Sequence, residues 1–196
     1  MRAGCDTEPM ATDYKFGIPE PEDREWIYGN VWAVEETTAG GSRLVIAPAD
    51  GQTEILTALL RDMTGPFWVL YVLVVSRGRG ELGRYQSPEP QTEGTVETFL
   101  NEFSVFLERD GRHNVWIASE SGSEMLIYDR HNVIYAYGPL NSWRRSLAAQ
   151  GFSEVPDIRF PSPHSHHYNQ SLDPEEDRLM HYWDWDRTAL NNSDAE

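Results

Sequence analysis

Cysteine is almost absent from this chain: Cys5 stands alone, so no disulfide can form within it. A reducing, cytoplasmic setting is the expectation that follows. Lysine is just as scarce, Lys15 being the only one among sixteen basic residues. No helix predicted below carries a Lys/Arg stripe, which argues against a sequence-independent grip on nucleic acid. Long apolar runs are missing too. The longest, residues 67–75, is too short to cross a bilayer as a helix, so no membrane association is expected. Ala3-Gly4-Cys5 looks like the end of a lipoprotein signal, but no apolar segment precedes it, and Met10 serves as well as Met1 for a start. Catalytic signatures are lacking as well. The glycines of residues 77–80 are followed by no GxGxxG or Walker sequence, and the Gly-Ser pairs at 41–42 and 122–123 sit in no GxSxG elbow.

What is present is a generous core supply. Seven Trp, nine Tyr and seven Phe in 196 residues argue against global disorder and for one domain with tails. The formal charge is −16, and the excess is concentrated at the ends: residues 1–36 carry a net −6, residues 173–196 another −6, and the long middle only −4. Blocks of like charge at chain ends are most simply solvated tails. The division that results is an acidic, mobile lead-in over 1–23, a single domain over 24–172, and an acidic tail over 173–196 in which Leu179, Tyr182 and Trp183 dock a short helix.

Hydrophobic periodicity predicts the elements. A strand is expected over 26–34 and a short one at 44–46. Ile55, Leu56, Leu59, Leu60 and Met63 mark a helix capped by Asp50 and ended by Gly65-Pro66. Residues 67–75 are apolar at both parities and read as a central strand covered on both faces. A return strand over 82–86 follows, then a helix over 95–108. Strands at 114–119, 124–128 and 132–137 form a meander. A helix over 140–150 and a strand over 155–160 complete the order. The fold class is therefore α+β: a mainly antiparallel sheet of about six to eight strands, with three or four helices largely on one face.

Two clusters offer chemistry. In Pro163-His164-Ser165-His166-His167-Tyr168, three histidines lie within four positions, and Asp173, Glu175 and Glu176 follow. Neutral imidazoles suit a zinc-like divalent ion, so His164, His166 and His167 are the metal candidates. If the loop is extended, His164 and His166 share a side and His167 faces away.

The second cluster comes from an echo: Arg-His-Asn-Val opens both residues 112–118 and residues 130–136, and each stretch begins a meander strand. The first and third strands of a meander run the same way, so both starts lie at one end of the sheet, roughly 10 Å apart. Arg112, His113, Arg130 and His131 are thus candidates for binding a phosphate or carboxylate. The plainer alternative is a pair of polar turns, with Asn in a left-handed position and nearby acids neutralising the arginines.

No motif singles out a reaction. The function expected from sequence is a non-catalytic binding protein, its aromatic surplus suggesting a protein partner and its acidity an inhibitor- or immunity-like module. The alternative is a metal-dependent or anion-binding enzyme using the His164–His167 loop or the paired Arg-His turns.

Overall fold

The computed structural model describes residues 14–22, 24–38, 40–77 and 80–195. Cys5, Met10 and most of the expected lead-in lie outside the described residues, as do Gly78 and Arg79. The chain is α+β. Its strands are β1 (Phe16–Ile18), β2 (Arg24–Glu25), β3 (Val31–Glu36), β4 (Ser42–Ala47), β5 (Phe67–Leu73), β6 (Gly83–Gln86), β7 (His113–Ser119), β8 (Met125–Tyr128), β9 (Ile134–Tyr137), β10 (Ser153–Glu154), β11 (Ser165–His166) and β12 (Asp186–Thr188). The helices are α1 (Gln52–Leu60), α2 (Glu93–Glu102), α3 (Ser104–Arg109), α4 (Leu140–Ala149) and α5 (Asp173–Met180). No helix among the described residues is long and apolar enough to cross a membrane.

Nine strands form one sheet in the order β10-β3-β4-β9-β8-β7-β5-β6-β12, and β11-β1-β2 form a small second sheet. Every pairing is antiparallel except β10 with β3. Twelve strands exceed the six to eight expected. The surplus comes from β1, β2, β10, β11 and β12, each two or three residues long, too short for an alternation to show in sequence.

Alternation along the longer strands sorts two cores. Leu44, Ile46, Val69, Tyr71, Leu73, Val115, Ile117, Leu126, Tyr128, Ile134 and Ala136 face the helices, which contribute Ile55, Leu59, Phe99, Leu107, Trp143, Leu147 and Leu179. Ala33, Val45, Ala47 and Val133 face the other way and are covered by Tyr14, Phe16, Tyr28 and Ile158. The helices therefore do lie on one face, while the far face of β3, β4 and β9 is roofed by the β1 segment. That cover stops short of β5, where Trp68 and Leu70 are only half-buried, so the central strand is not fully enclosed as expected.

Local differences have local causes. The first expected strand starts at Val31, not Trp26, because Asn30 adopts a left-handed φ of 53°. Helix α1 begins after Gly51, whose φ of 65° supplies the turn, rather than after Asp50. The single helix expected over 95–108 is broken at Phe103 into α2 and α3, with Thr92 capping α2 through its hydroxyl. Residues 155–160 form no strand; they cross the open face instead, placing Ile158 in the second core. Tyr14 and Phe16 belong to the expected mobile lead-in, yet both are buried.

Candidate metal centre

The meander does bring the echoed turns to one end of the sheet. Val115 pairs with Tyr128 and Tyr128 with Ile134, and the Arg130 amide donates to Asn114 Oδ1 at 2.9 Å. The side chains nevertheless separate, because the echoes are out of phase with the sheet. Val115 faces the helices, and Val133, its counterpart, faces the opposite side. His113 goes with Val115 and His131 with Val133.

On the helix side, Arg112 and His113 are both fully buried. Arg112 is clasped by Asp110 (2.7 and 2.8 Å), Glu176 (2.6 Å) and Asp173 (2.8 Å). It is an ion network that pins α5 to the start of β7, and it leaves no exposed guanidinium at Arg112 to meet an anion. Two of its carboxylates, Asp173 and Glu176, come from α5, whose Glu175 pairs instead with Arg178 at 2.5 Å. His113 packs between Tyr71 and Phe106 (ring centroids 5.2 and 4.8 Å). Burial keeps it well below its ordinary pKa, with Lys15 and Arg112 pushing the same way.

On the other side, Arg130 and His131 meet the histidine loop. Strand β11 pairs with β1 (Phe16 opposite His166, Gly17 opposite Ser165), and β1 pairs in turn with β2. Gly17 is required here: a Cβ would stand 2.4 Å from the Arg24 carbonyl oxygen. Extended geometry sends His164 and His166 to one side and His167 to the other. The His167 Nδ1 lies 2.9 Å from the Tyr14 carbonyl oxygen, and its backbone bonds Lys15 and Gly111. His167 therefore stands outside the cluster, and His131 takes its place: His131, His164 and His166 bring one ring nitrogen each within 4.8 Å of one another. The structure joins one half of each expected site into a single one.

The hydrogen bonds assign the lone pairs. Asp129 Oδ2 lies 2.9 Å from His131 Nδ1. A carboxylate only accepts, so His131 Nδ1 carries a hydrogen, and in the neutral ring the lone pair is on Nε2. Asp129 is itself held by the amides of His131 and Val133 through Oδ1, in a turn closed by Asn132 at a left-handed φ of 60°. His164 Nδ1 lies 3.2 Å from the Pro161 carbonyl oxygen, which likewise places the neutral ring's lone pair on Nε2. These two Nε2 atoms face each other at 3.3 Å.

Arg130 Nε donates to His166 Nε2 at 2.9 Å, and His166 Nδ1 is buried without a partner. Burial lowers the His166 pKa to about 3, and the Arg130 charge adds to the effect, so the ring is neutral at physiological pH. Phe16, fully buried, underlies all three rings at 5.7 to 6.4 Å, and Phe160 edges onto His131 at 5.4 Å.

The sequence groups His131 with Arg112 and His113, whereas the structure sets it beside His164 and His166 with Asp129 as its orienting group. The signal for Asp129 was available, since an Asp two residues before a His at the start of a turn commonly folds back on the local amides. Comparison with protein-family models, with curated proteins and with solved structures finds no significant match.

Proposed function

We propose that the protein binds a divalent transition-metal ion of the zinc class through His131, His164 and His166. The observation that carries this reading is the pair of Nε2 lone pairs 3.3 Å apart. Two acceptors at that distance repel unless a cation or a proton stands between them. Two zinc–nitrogen bonds of about 2.0–2.1 Å at a tetrahedral angle put their nitrogens about 3.3–3.4 Å apart, which matches. A proton shared by His131 and His164 would relieve the repulsion as well, but it has no use for the third ring, neutral and close by. The remaining features are those of a metal centre: a carboxylate–histidine pair in Asp129 and His131, a second histidine oriented by a backbone carbonyl, and an apolar backing. An all-imidazole set favours zinc, copper or nickel over magnesium or calcium.

Three protein ligands leave a tetrahedral ion one free position, the pattern of a centre that exchanges ligands rather than a closed structural one. This favours the metal-dependent alternative over the purely partner-binding role. The partner-binding role rests on surplus aromatics, and most of these are used internally: Trp32, Trp143, Phe99 and Phe103 are buried, Trp183 stacks on Phe99, and Trp185 meets the Phe99 ring edge-on. Among the described residues, the exposed large hydrophobics Ile27, Leu82, Val105 and Phe160 come from four separate segments.

The test is metal content. Protein purified without chelator and then dialysed against limiting zinc is expected to hold one ion per chain by elemental analysis, and the double variant His131→Ala/His164→Ala none. Equal retention by the variant, or no uptake by the parent, rejects the reading.

A further inference from the structure

We propose that this centre, once it holds the ion of the preceding reading, binds an oxyanion between the metal's free position and the guanidinium of Arg130, the ligand being a phosphate or carboxylate group. Arg130 is fixed at the site by its own backbone, through the bond from its amide to Asn114 Oδ1. Its side chain makes one hydrogen bond, Nε to His166 Nε2, and has no carboxylate partner among the described residues. The contrast with its echo is direct: Arg112 is saturated by three carboxylates, whereas the terminal amino groups of Arg130 have no hydrogen-bond partner among the described residues.

Metal binding and the Arg130–His166 bond exclude each other. A neutral imidazole has a single lone pair. Arg130 now occupies it at Nε2. If the ion ligates Nε2, it displaces Arg130 directly. If it ligates Nδ1, the ring hydrogen moves to Nε2, which then cannot accept. On either route the ion releases a charged guanidinium beside itself. The local charge becomes that of the ion plus Arg130, with Asp129 as the carboxylate bonded to a ligand ring among the described residues, over a floor formed by Phe16. An anion is the natural complement. A ligand with two oxygens on one atom satisfies both groups together, one oxygen entering the free metal position and the other receiving the forked N–H groups. A halide has no second atom to offer the fork.

Cobalt(II) makes the centre visible, because its d–d absorption reports coordination. Full-length protein is loaded with one equivalent of cobalt(II) and titrated with inorganic phosphate, acetate and chloride. The expected result is a saturable band shift with phosphate or acetate, whichever responds more tightly identifying the ligand class. In Arg130→Gln, the oxyanion is expected to bind roughly tenfold or more weakly, the loss of a charge-assisted fork, while cobalt(II) binds as tightly as in the parent or more so, since a competing hydrogen bond and a like charge are gone. Circular dichroism of the variant checks that it is folded. Cobalt uptake with no oxyanion response, with an equal response in Arg130→Gln, or with chloride as effective as phosphate and acetate, overturns the oxyanion site and leaves the metal centre standing. Failure to take up cobalt overturns both.

Discussion

Lys15, the chain's only lysine, is fully buried. Its Nζ lies 3.6 Å from the Tyr128 ring centroid and donates to the Leu107 carbonyl at 3.2 Å. Desolvation lowers its pKa from 10.5 to about 7, against the pull of Asp129, Glu108 and Asp110. The sign of the stability effect follows from linkage. Below about pH 7 both the folded and unfolded chains carry the proton, and the folded state bears the full penalty of a buried ammonium. Between about pH 7 and 10.5 the unfolded chain keeps a proton that the folded chain has released, so this group's contribution makes stability rise with pH. Lys15→Met is therefore expected to be more stable than the parent near neutrality by on the order of 2 kcal/mol, less than the full shift implies because the Leu107 carbonyl loses a donor. Its advantage should shrink as pH approaches 10. Urea titrations of both proteins at pH 6, 8 and 10 check this, and a parent–variant difference that stays constant with pH refutes the assignment.

At the scale of elements, the C-terminal helix is held by charge as much as by apolar contact. Leu179 is buried, but so are Glu176, its partner Arg112 and that arginine's other carboxylate Asp110, and Ser76 donates to Glu176 at 2.7 Å. Arg112→Met keeps most of the side-chain volume while leaving two buried carboxylates without a countercharge, which is expected to cost about 3–5 kcal/mol. For a chain of this size that is a fall of roughly 10 °C or more in Tm. Arg130→Met, in the echoed position, is expected to shift Tm by no more than about 2 °C, since that arginine answers no carboxylate among the described residues. Similar losses in the two variants would contradict the assigned division between a buried, carboxylate-paired arginine and a partly buried one. The elements themselves were legible wherever period and length were sufficient: the stripe of α1, the doubly apolar β5, and the three meander strands. What sequence did not reveal were pairings across long separations. Nothing local to Arg112 indicates that its partners are Asp173 and Glu176, and the three residues of β1 show no alternation that would lift them out of an acidic lead-in.

At the scale of the whole molecule, the candidate site is an assembly product. The shared sheet end of the two echoes was readable from the meander. Their opposite orientation was not, because it depends on a one-residue phase between β7 and β9 that only the packed Val115 and Val133 reveal. The alternation that turns His167 away from His164 and His166 was readable, whereas the substitute ligand, His131, lies 33 residues from His164 and reaches it only because β11 docks on β1. Such a ligand set does not persist in the unfolded chain, so the ion binds the native state almost exclusively and stabilises it by mass action. With zinc at one hundred times its dissociation constant, the expected gain is about 2.7 kcal/mol, or roughly 5–10 °C in Tm. His131→Ala should abolish that increment. His167→Ala should lower the starting Tm through loss of its contact with the Tyr14 carbonyl, and retain the increment in full. The opposite pattern, with His131 dispensable and His167 required, would mean that the contiguous triplet of the loop holds the ion after all, and that β11 does not pair with β1 in the metal-bound protein. Thermal melts of the parent and both variants, with zinc and with chelator, decide between the two ligand sets.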